Sequence, residues 1–209
     1  MTQKIRVRVY IDGYNLYHAI DRLKEDRLKW LDLRTLMLNF LDTKIHDLLG
    51  VHYFSAYATW KFNAYQRHRI YEQALRAIGV ETIMGKFKEK ERSCLKCKDK
   101  WIAHEEKETD VNIALYLLDD AYQDRYDEAI IVSQDSDLFP AIKLVKKNFP
   151  HKKIKIITPP NLHHSKEMAQ IVGKKKLGKI QKIHLERSLL PEKIIDENGK
   201  QITRPKKYG

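Results

Sequence analysis

The segment Ile5-Arg6-Val7-Arg8-Val9-Tyr10-Ile11-Asp12-Gly13 decides how this chain is read. Its aliphatic residues fall at every second position, the period of a β-strand rather than a helix. The run ends on Asp-Gly, and helical spacing takes over through Leu16, Ile20 and Leu23. A strand that ends on a carboxylate and feeds a helix is the start of an α/β layer structure. In open sheets of that class, ligands bind outside the carboxyl ends of the parallel strands.

Working outward, Trp30 to Leu49 has apolar spacing that predicts a second helix, and Val51 to Ala58 predicts a second strand. A helix is expected from about Ala64 to Ile78, with Gly79 where a C-terminal capping glycine belongs, and then a short strand over Val80 to Met84. The polar, Lys-rich stretch from Lys86 to Glu106 reads as the least regular part of the chain. Thr109 to Tyr122 is an amphipathic helix, Ala129 to Val132 a wholly apolar strand, Leu138 to Phe149 a helix and Ile154 to Thr158 a strand stopped by Pro159-Pro160. Repeated strand–helix alternation implies crossover connections and a mostly parallel sheet with helices on both faces, an α/β fold. From Gly173 onward order is expected to weaken. Lys174-Lys175-Lys176 and Arg204-Pro205-Lys206-Lys207 mark residues 173–209 as a basic, partly disordered tail.

The chain has 209 residues, enough for one α/β domain with an ample core, and 40 Lys and Arg against 28 Asp and Glu give a net charge of +12. A surface this basic attracts polyanions, of which nucleic acid is the commonest. No window approaches the ~18 consecutive apolar residues of a membrane helix. The first ten residues mix Lys4, Arg6 and Arg8 into the apolar pattern, unlike a secretory signal, so a cytoplasmic protein without membrane contact is expected.

Acidic residues occupy the positions where such a sheet builds sites. Asp12 follows the first strand, Asp135 and Asp137 follow the strand ending at Val132, and Asp110 opens a helix whose dipole favours a negative charge. Any one of them could be a turn former or helix cap. Together, converging carboxylates repel unless a cation balances them. Hard oxygen ligands without His or Cys favour Mg²⁺ or Mn²⁺, and such a site suits phosphodiester hydrolysis. Lys107 would share a helical face with Asp110 and contact phosphate or balance the acids; a solvated lysine is the alternative. Asn15 would orient Asp12 or a metal-bound water, or else cap the first helix.

The run Val9-Tyr10-Ile11-Asp12-Gly13-Tyr14-Asn15-Leu16 resembles the opening of the NYN domain, a branch of the PIN-like nuclease superfamily. Glu106-Lys107-Glu108-Thr109-Asp110-Val111 and Ile131-Val132-Ser133-Gln134-Asp135-Ser136-Asp137-Leu138 fit the same family in order, and the whole looks like the LabA-like bacterial group. The resemblance covers about residues 5 to 172. It implies a nuclease domain at 1–172, with a Cys-containing insertion at about 86–106, and a PIN-like three-layer fold. It also implies a metal-dependent ribonuclease that leaves a 5′-phosphate and a 3′-hydroxyl. Asp12, Asp110, Asp135 and Asp137 would be its catalytic metal ligands, with Asn15 and Ser133 in support. RNA is the expected partner, with DNA an open alternative. The competing function is a catalytically weak module that binds RNA or a protein. A Toprim-like site fits less well, because Asp12 stands where that site wants Glu. A haloacid-dehalogenase-type phosphatase wants Asp-x-Asp after the first strand, which Asp12-Gly13-Tyr14 lacks.

Two features remain outside this core. Cys94 and Cys97 have the spacing of a zinc half-site, with His104 as a third ligand and the fourth drawn from an acidic side chain or a second subunit, which would make a homodimer. A redox pair and no special role are the alternatives. Trp60, Lys61, Phe62, Tyr65, Arg67, His68 and Arg69 interleave aromatics with cations, the mixture that base stacking and phosphate contact require. Lys86, Lys88 and the basic residues after them form a second strip that would guide a strand of nucleic acid, with an ordinary solvated loop as the alternative.

Overall fold

The computed structural model describes residues 3–209. In chain order its strands are β1 (Ile5–Asp12), β2 (His46–Ala56), β3 (Glu81–Ser93), β4 (Lys100–Lys107), β5 (Glu128–Val132), β6 (Lys153–Thr158), β7 (Leu177–Lys179), β8 (Lys193–Ile195) and β9 (Gln201–Thr203). Its α-helices are α1 (Gly13–Asp21), α2 (Leu33–Leu38), α3 (Phe62–Ala77), α4 (Thr109–Tyr122), α5 (Phe139–Asn148), α6 (Lys166–Val172) and α7 (Lys182–Glu186). Strands β1 to β7 form one sheet in the order β4-β3-β2-β1-β5-β6-β7; only β3 and β4 pair antiparallel. The chain leaves β1 towards β2 on one side and returns to β5 on the other. The carboxyl ends of β1 and β5 therefore flank the point where the winding reverses, where open α/β sheets bind ligands.

Strand parity decides which groups meet there. Val7, Val9 and Ile11 pack into the core under α1, α2 and α3, with Leu16, Leu36 and Leu75. Tyr10 points to the opposite face and packs with Ile113 and Leu117 of α4 and Ile142 of α5. Asp12, two residues beyond Tyr10, shares its parity and so lies on the side of α4. The same parity places Arg6 and Arg8 on that face, where each has counter-charges. Arg6 binds Asp124 and Asp127; Arg8 reaches the buried Asp120, which also accepts from the Tyr10 hydroxyl at 2.7 Å. Gly13 is required where β1 turns into α1, because a Cβ there would stand 2.4 Å from the Tyr53 ring and 2.7 Å from the Phe54 carbonyl oxygen. Gly79 follows α3 at φ +77°, as expected of a capping glycine.

Three expectations are corrected. Between Trp30 and Leu49 only Leu33–Leu38 is α-helical, and β2 already begins at His46. Phe40, Leu41, Ile45 and Leu48 keep helical spacing, yet Leu48 joins the core opposite Val7 through parallel pairing with β1. The Lys-rich stretch is not irregular: β3 runs on to Ser93 and forms a long hairpin with β4. Both faces of its outer half are largely exposed, so no apolar alternation marks it. Residues 173–209 are ordered. Ile180 and Leu185 enter the core beside α2, while Leu190, Ile194, Ile202 and Tyr208 enclose Trp30, whose indole donates to the Pro191 carbonyl at 2.8 Å.

Candidate metal centre

Asp12 ends β1 and caps α1: its Oδ1 accepts from the Asn15 backbone N–H at 2.8 Å. Its Oδ2 accepts from the Ser133 hydroxyl at 3.0 Å, and the same Ser133 oxygen accepts from the Asp135 backbone N–H at 3.0 Å. One buried serine thus ties the ends of β1 and β5 together. Asp135 in turn caps the short 3-10 turn Ser136–Leu138, accepting from the Asp137 N–H at 2.9 Å. Asp110 sits in the first turn of α4, held over the same sheet edge by Ile113 and Leu117.

These carboxyls feel one another. Asp12 is pushed up to about 7, first by burial, against the pull of its bonds from Asn15 and Ser133, and then by repulsion from Asp110 and Asp135. Asp110 is pushed up to about 6 by burial and by the charges of Asp135, Glu106 and Asp137. Four carboxyls named from the sequence are thereby electrostatically coupled across more than a hundred residues of chain. Glu106 is the addition. It lies four residues before Asp110, accepts from the Thr109 N–H at 3.2 Å, and raises both Asp110 and the Tyr14 hydroxyl. Its signal was its place in the Glu-Lys-Glu-Thr-Asp run.

Among the described residues no three His, Cys, Asp or Glu side chains already stand close enough to hold one ion. The donor set nevertheless fits a small dication. It is all hard oxygen, and its excess negative charge is what a cation relieves. The Asn15 side-chain oxygen is buried beside Asp12 without a hydrogen-bond partner, an acceptor free for a metal-bound water.

Other sequence candidates fall elsewhere. The Lys107 ammonium is 3.1 Å from Glu105, so it is tied along β4 rather than to Asp110. Lys86 pairs with Glu108, and Lys90 and Arg92 with Glu105, which neutralises much of the basic strip; Lys88 stays exposed. Cys94 and Cys97 lie at the hairpin tip, where hydrogen bonds from Cys97 and Lys96 lower the Cys94 thiol. His104 is not with them. It pairs in register with Glu89, four positions down β4 from Lys100, and lies flat on Trp60 with ring centroids 3.6 Å apart. Strand rise makes that separation about 13 Å along the hairpin. Trp60, Lys61, Tyr65, Arg67 and His68 line a cavity beside α1, whereas Phe62 is exposed and Arg69 lies over the Tyr65 ring on the outer side.

A mostly parallel, doubly wound sheet with helices on both faces and acids at its reversal point defines a PIN-like α/β domain. The NYN domain model matches residues 6–170, and the chain belongs to the NYN family, a branch of the PIN-like nuclease superfamily. A curated relative, 6-hydroxy-3-succinoylpyridine 3-monooxygenase of Pseudomonas putida, is 28% identical over 180 residues, covering 69% of this chain. The chain spans 57% of that protein's length. Among solved structures, a Vibrio parahaemolyticus protein of unknown function matches with TM-score 0.57 and 19% identity, over 91% of this chain and all of that one, a likeness of fold. Among the described residues, no helix is long and apolar enough to cross a membrane.

Proposed function

We propose that this chain is a divalent-metal-dependent nuclease acting on RNA. The observation that carries the reading is the meeting of Asp12 and Asp135 on one buried Ser133 at the reversal point of the sheet, where burial first, and then the charge of neighbouring carboxylates, raises both Asp12 and Asp110. Acids brought together at a net repulsion stabilise little by themselves, and perturbed acids of this kind cluster at functional sites. Asp12, Asp110 and Asp135 would hold Mg²⁺ or Mn²⁺, with Asp137 and Glu106 at the rim. Bound there, the ion would polarise the scissile phosphate and acidify a water. Ser133 fixes the Asp12 carboxylate and the Asp135 backbone in one arrangement. The buried, unpartnered side-chain oxygen of Asn15 would accept a metal-bound water at the same edge. The net charge of +12 supports a polyanionic substrate.

The second reading is binding with little turnover. It is favoured by the fact that, among the described residues, no three carboxyls stand ready around one ion. Incubating labelled RNA and DNA with Mn²⁺ or Mg²⁺ separates the two. Metal-dependent cleavage of RNA by the wild type and its loss in Asp135→Asn are expected. Equal cleavage by both proteins would sink the catalytic assignment, and RNA retained without cleavage would favour the binding module.

A further inference from the structure

Between α1 and α3, reached from the candidate centre through Gly13 and Tyr14 and lined by none of its carboxylates, lies a cavity of about 350 Å³. Ligand sites start at about 300 Å³, so it has room for one small organic group. Gly13 and Tyr14, the residues after Asp12, form its near wall. Tyr65 and His68 of α3 line the far side, and Trp60, Phe87 and His104 lie towards the hairpin. The Trp60 and His104 rings are parallel within 16°, and Phe87 meets the edge of Trp60 and, from the other side, Tyr14. Aromatic walls of this kind accept a flat ring by stacking.

The polar groups are as selective as the rings. Lys61 and Arg67 line the cavity and have no carboxylate within ion-pair distance among the described residues. Lys29, a third cation on the lining, is already bound by Asp21 and Asp26. His68 is kept neutral by burial, so it contributes a ring and a hydrogen-bonding nitrogen rather than a charge. Trp60 and Tyr14 are partly exposed, which leaves a way in from solvent.

We propose that this cavity binds a planar heteroaromatic ring bearing an acid group: the ring among Trp60, Tyr14 and Tyr65, the acid on Lys61 and Arg67. A nucleotide is the source expected. That choice of source rests on the nuclease reading of the neighbouring carboxylates, where the cavity would seat one base of the strand and fix its backbone relative to Asp12. A free heteroaromatic acid shares the chemistry and is the other source.

The test is calorimetric titration of the full chain in EDTA with three probes: adenosine 5′-monophosphate, ribose 5-phosphate, which lacks the base, and nicotinate, a free ring acid. Adenosine monophosphate is expected to bind at least about tenfold tighter than ribose 5-phosphate, and Trp60→Leu to remove about tenfold of that affinity. Lys61→Gln, an exposed change that does not threaten folding, should weaken both phosphates. Nicotinate binding in place of the nucleotide supports the ring-and-acid chemistry and assigns it to a free acid. Nucleotide binding no tighter than ribose 5-phosphate with no nicotinate binding, or affinity unmoved in both variants, overturns the proposal. A chain that cleaves RNA yet fails the titration loses the cavity assignment and keeps the nuclease. One that binds nucleotide without cleaving does the reverse.

Discussion

Ser133 donates its hydroxyl proton to Asp12 at 3.0 Å while its oxygen accepts from the Asp135 N–H at the same distance. A residue that is buried and fully used in this way fixes the relative position of two carboxylates that come from opposite halves of the sheet. Ser133→Ala leaves one oxygen of a buried carboxyl and one N–H without partners. Orienting groups behind metal ligands change affinity by about 10–100-fold. We therefore predict weaker Mn²⁺ binding by that order in calorimetry and a parallel fall in RNA cleavage, with Ser133→Thr recovering part of both. Unchanged Mn²⁺ affinity in the alanine variant would exclude a positioning role.

The elevated carboxyls make stability depend on pH in a stated direction. Between the ordinary carboxylate range near 4 and the folded values of about 7 for Asp12 and about 6 for Asp110, the folded chain binds more protons than the unfolded one. Their contribution is thus most favourable at low pH and is lost as pH rises through that window. The metal-free protein should melt lower at pH 8 than at pH 6, and saturating Mg²⁺ should recover most of the difference at pH 8. Asp12→Asn removes the buried charge; it should stabilise the metal-free protein at pH 8 by about 2 kcal/mol, seen as a rise of about 5 °C in Tm. Destabilisation by that substitution in EDTA would show that Asp12 is held by favourable contacts alone.

How much of this was legible from the residues follows from where each signal is carried. β1 was readable because Val7, Val9 and Ile11 all face one core. The acids were readable because they sit at strand and helix ends, where turn geometry and site geometry coincide. The β3–β4 hairpin was not, since its outer half buries neither face and owes its order to backbone pairing and to ion pairs such as Lys90 and Arg92 with Glu105. Phe40, Leu41, Ile45 and Leu48 kept a helical spacing that the pairing of β2 with β1 overrides. His104 looked like a zinc ligand by proximity in sequence, and strand register carried it away from the cysteines. Expectations from a basic tail failed for a different reason: a few well-spaced apolar residues outweigh many lysines when a buried indole needs covering.

Asp120 offers a test of the structural side of the same face. It is buried under β1, accepts from the Tyr10 hydroxyl, and is approached by Arg8 and Arg125 at 3.2 and 3.1 Å. It is an acid of the core rather than of the candidate centre. Asp120→Ala leaves the buried Tyr10 hydroxyl without its acceptor and the part-buried Arg8 without its counter-charge, a loss of about 2–3 kcal/mol. Urea denaturation should report a loss of that size, against a change within about 1 kcal/mol for the exposed Asp137→Ala. Comparable losses in the two variants would contradict a core role for Asp120 distinct from that of Asp137.

The final prediction concerns the C-terminal segment, which lies beyond the family match at residue 170. Leu31 bridges to Leu189, the Leu190 N–H donates to the Trp30 carbonyl at 2.9 Å, and Ile194, Ile202 and Tyr208 close over the Trp30 ring. Each fully buried large apolar side chain contributes about 1.5–3 kcal/mol. Ending the chain after Arg187 removes four of them and opens Trp30, which is 0% exposed in the intact protein. Tryptophan emission should shift to the red and the urea midpoint should fall, by several kcal/mol in stability. Because Tyr208 also lines the aromatic cavity, the truncated chain should lose nucleotide affinity as well. A truncated chain with unshifted emission and an unchanged midpoint would mean that this segment does not cover the indole.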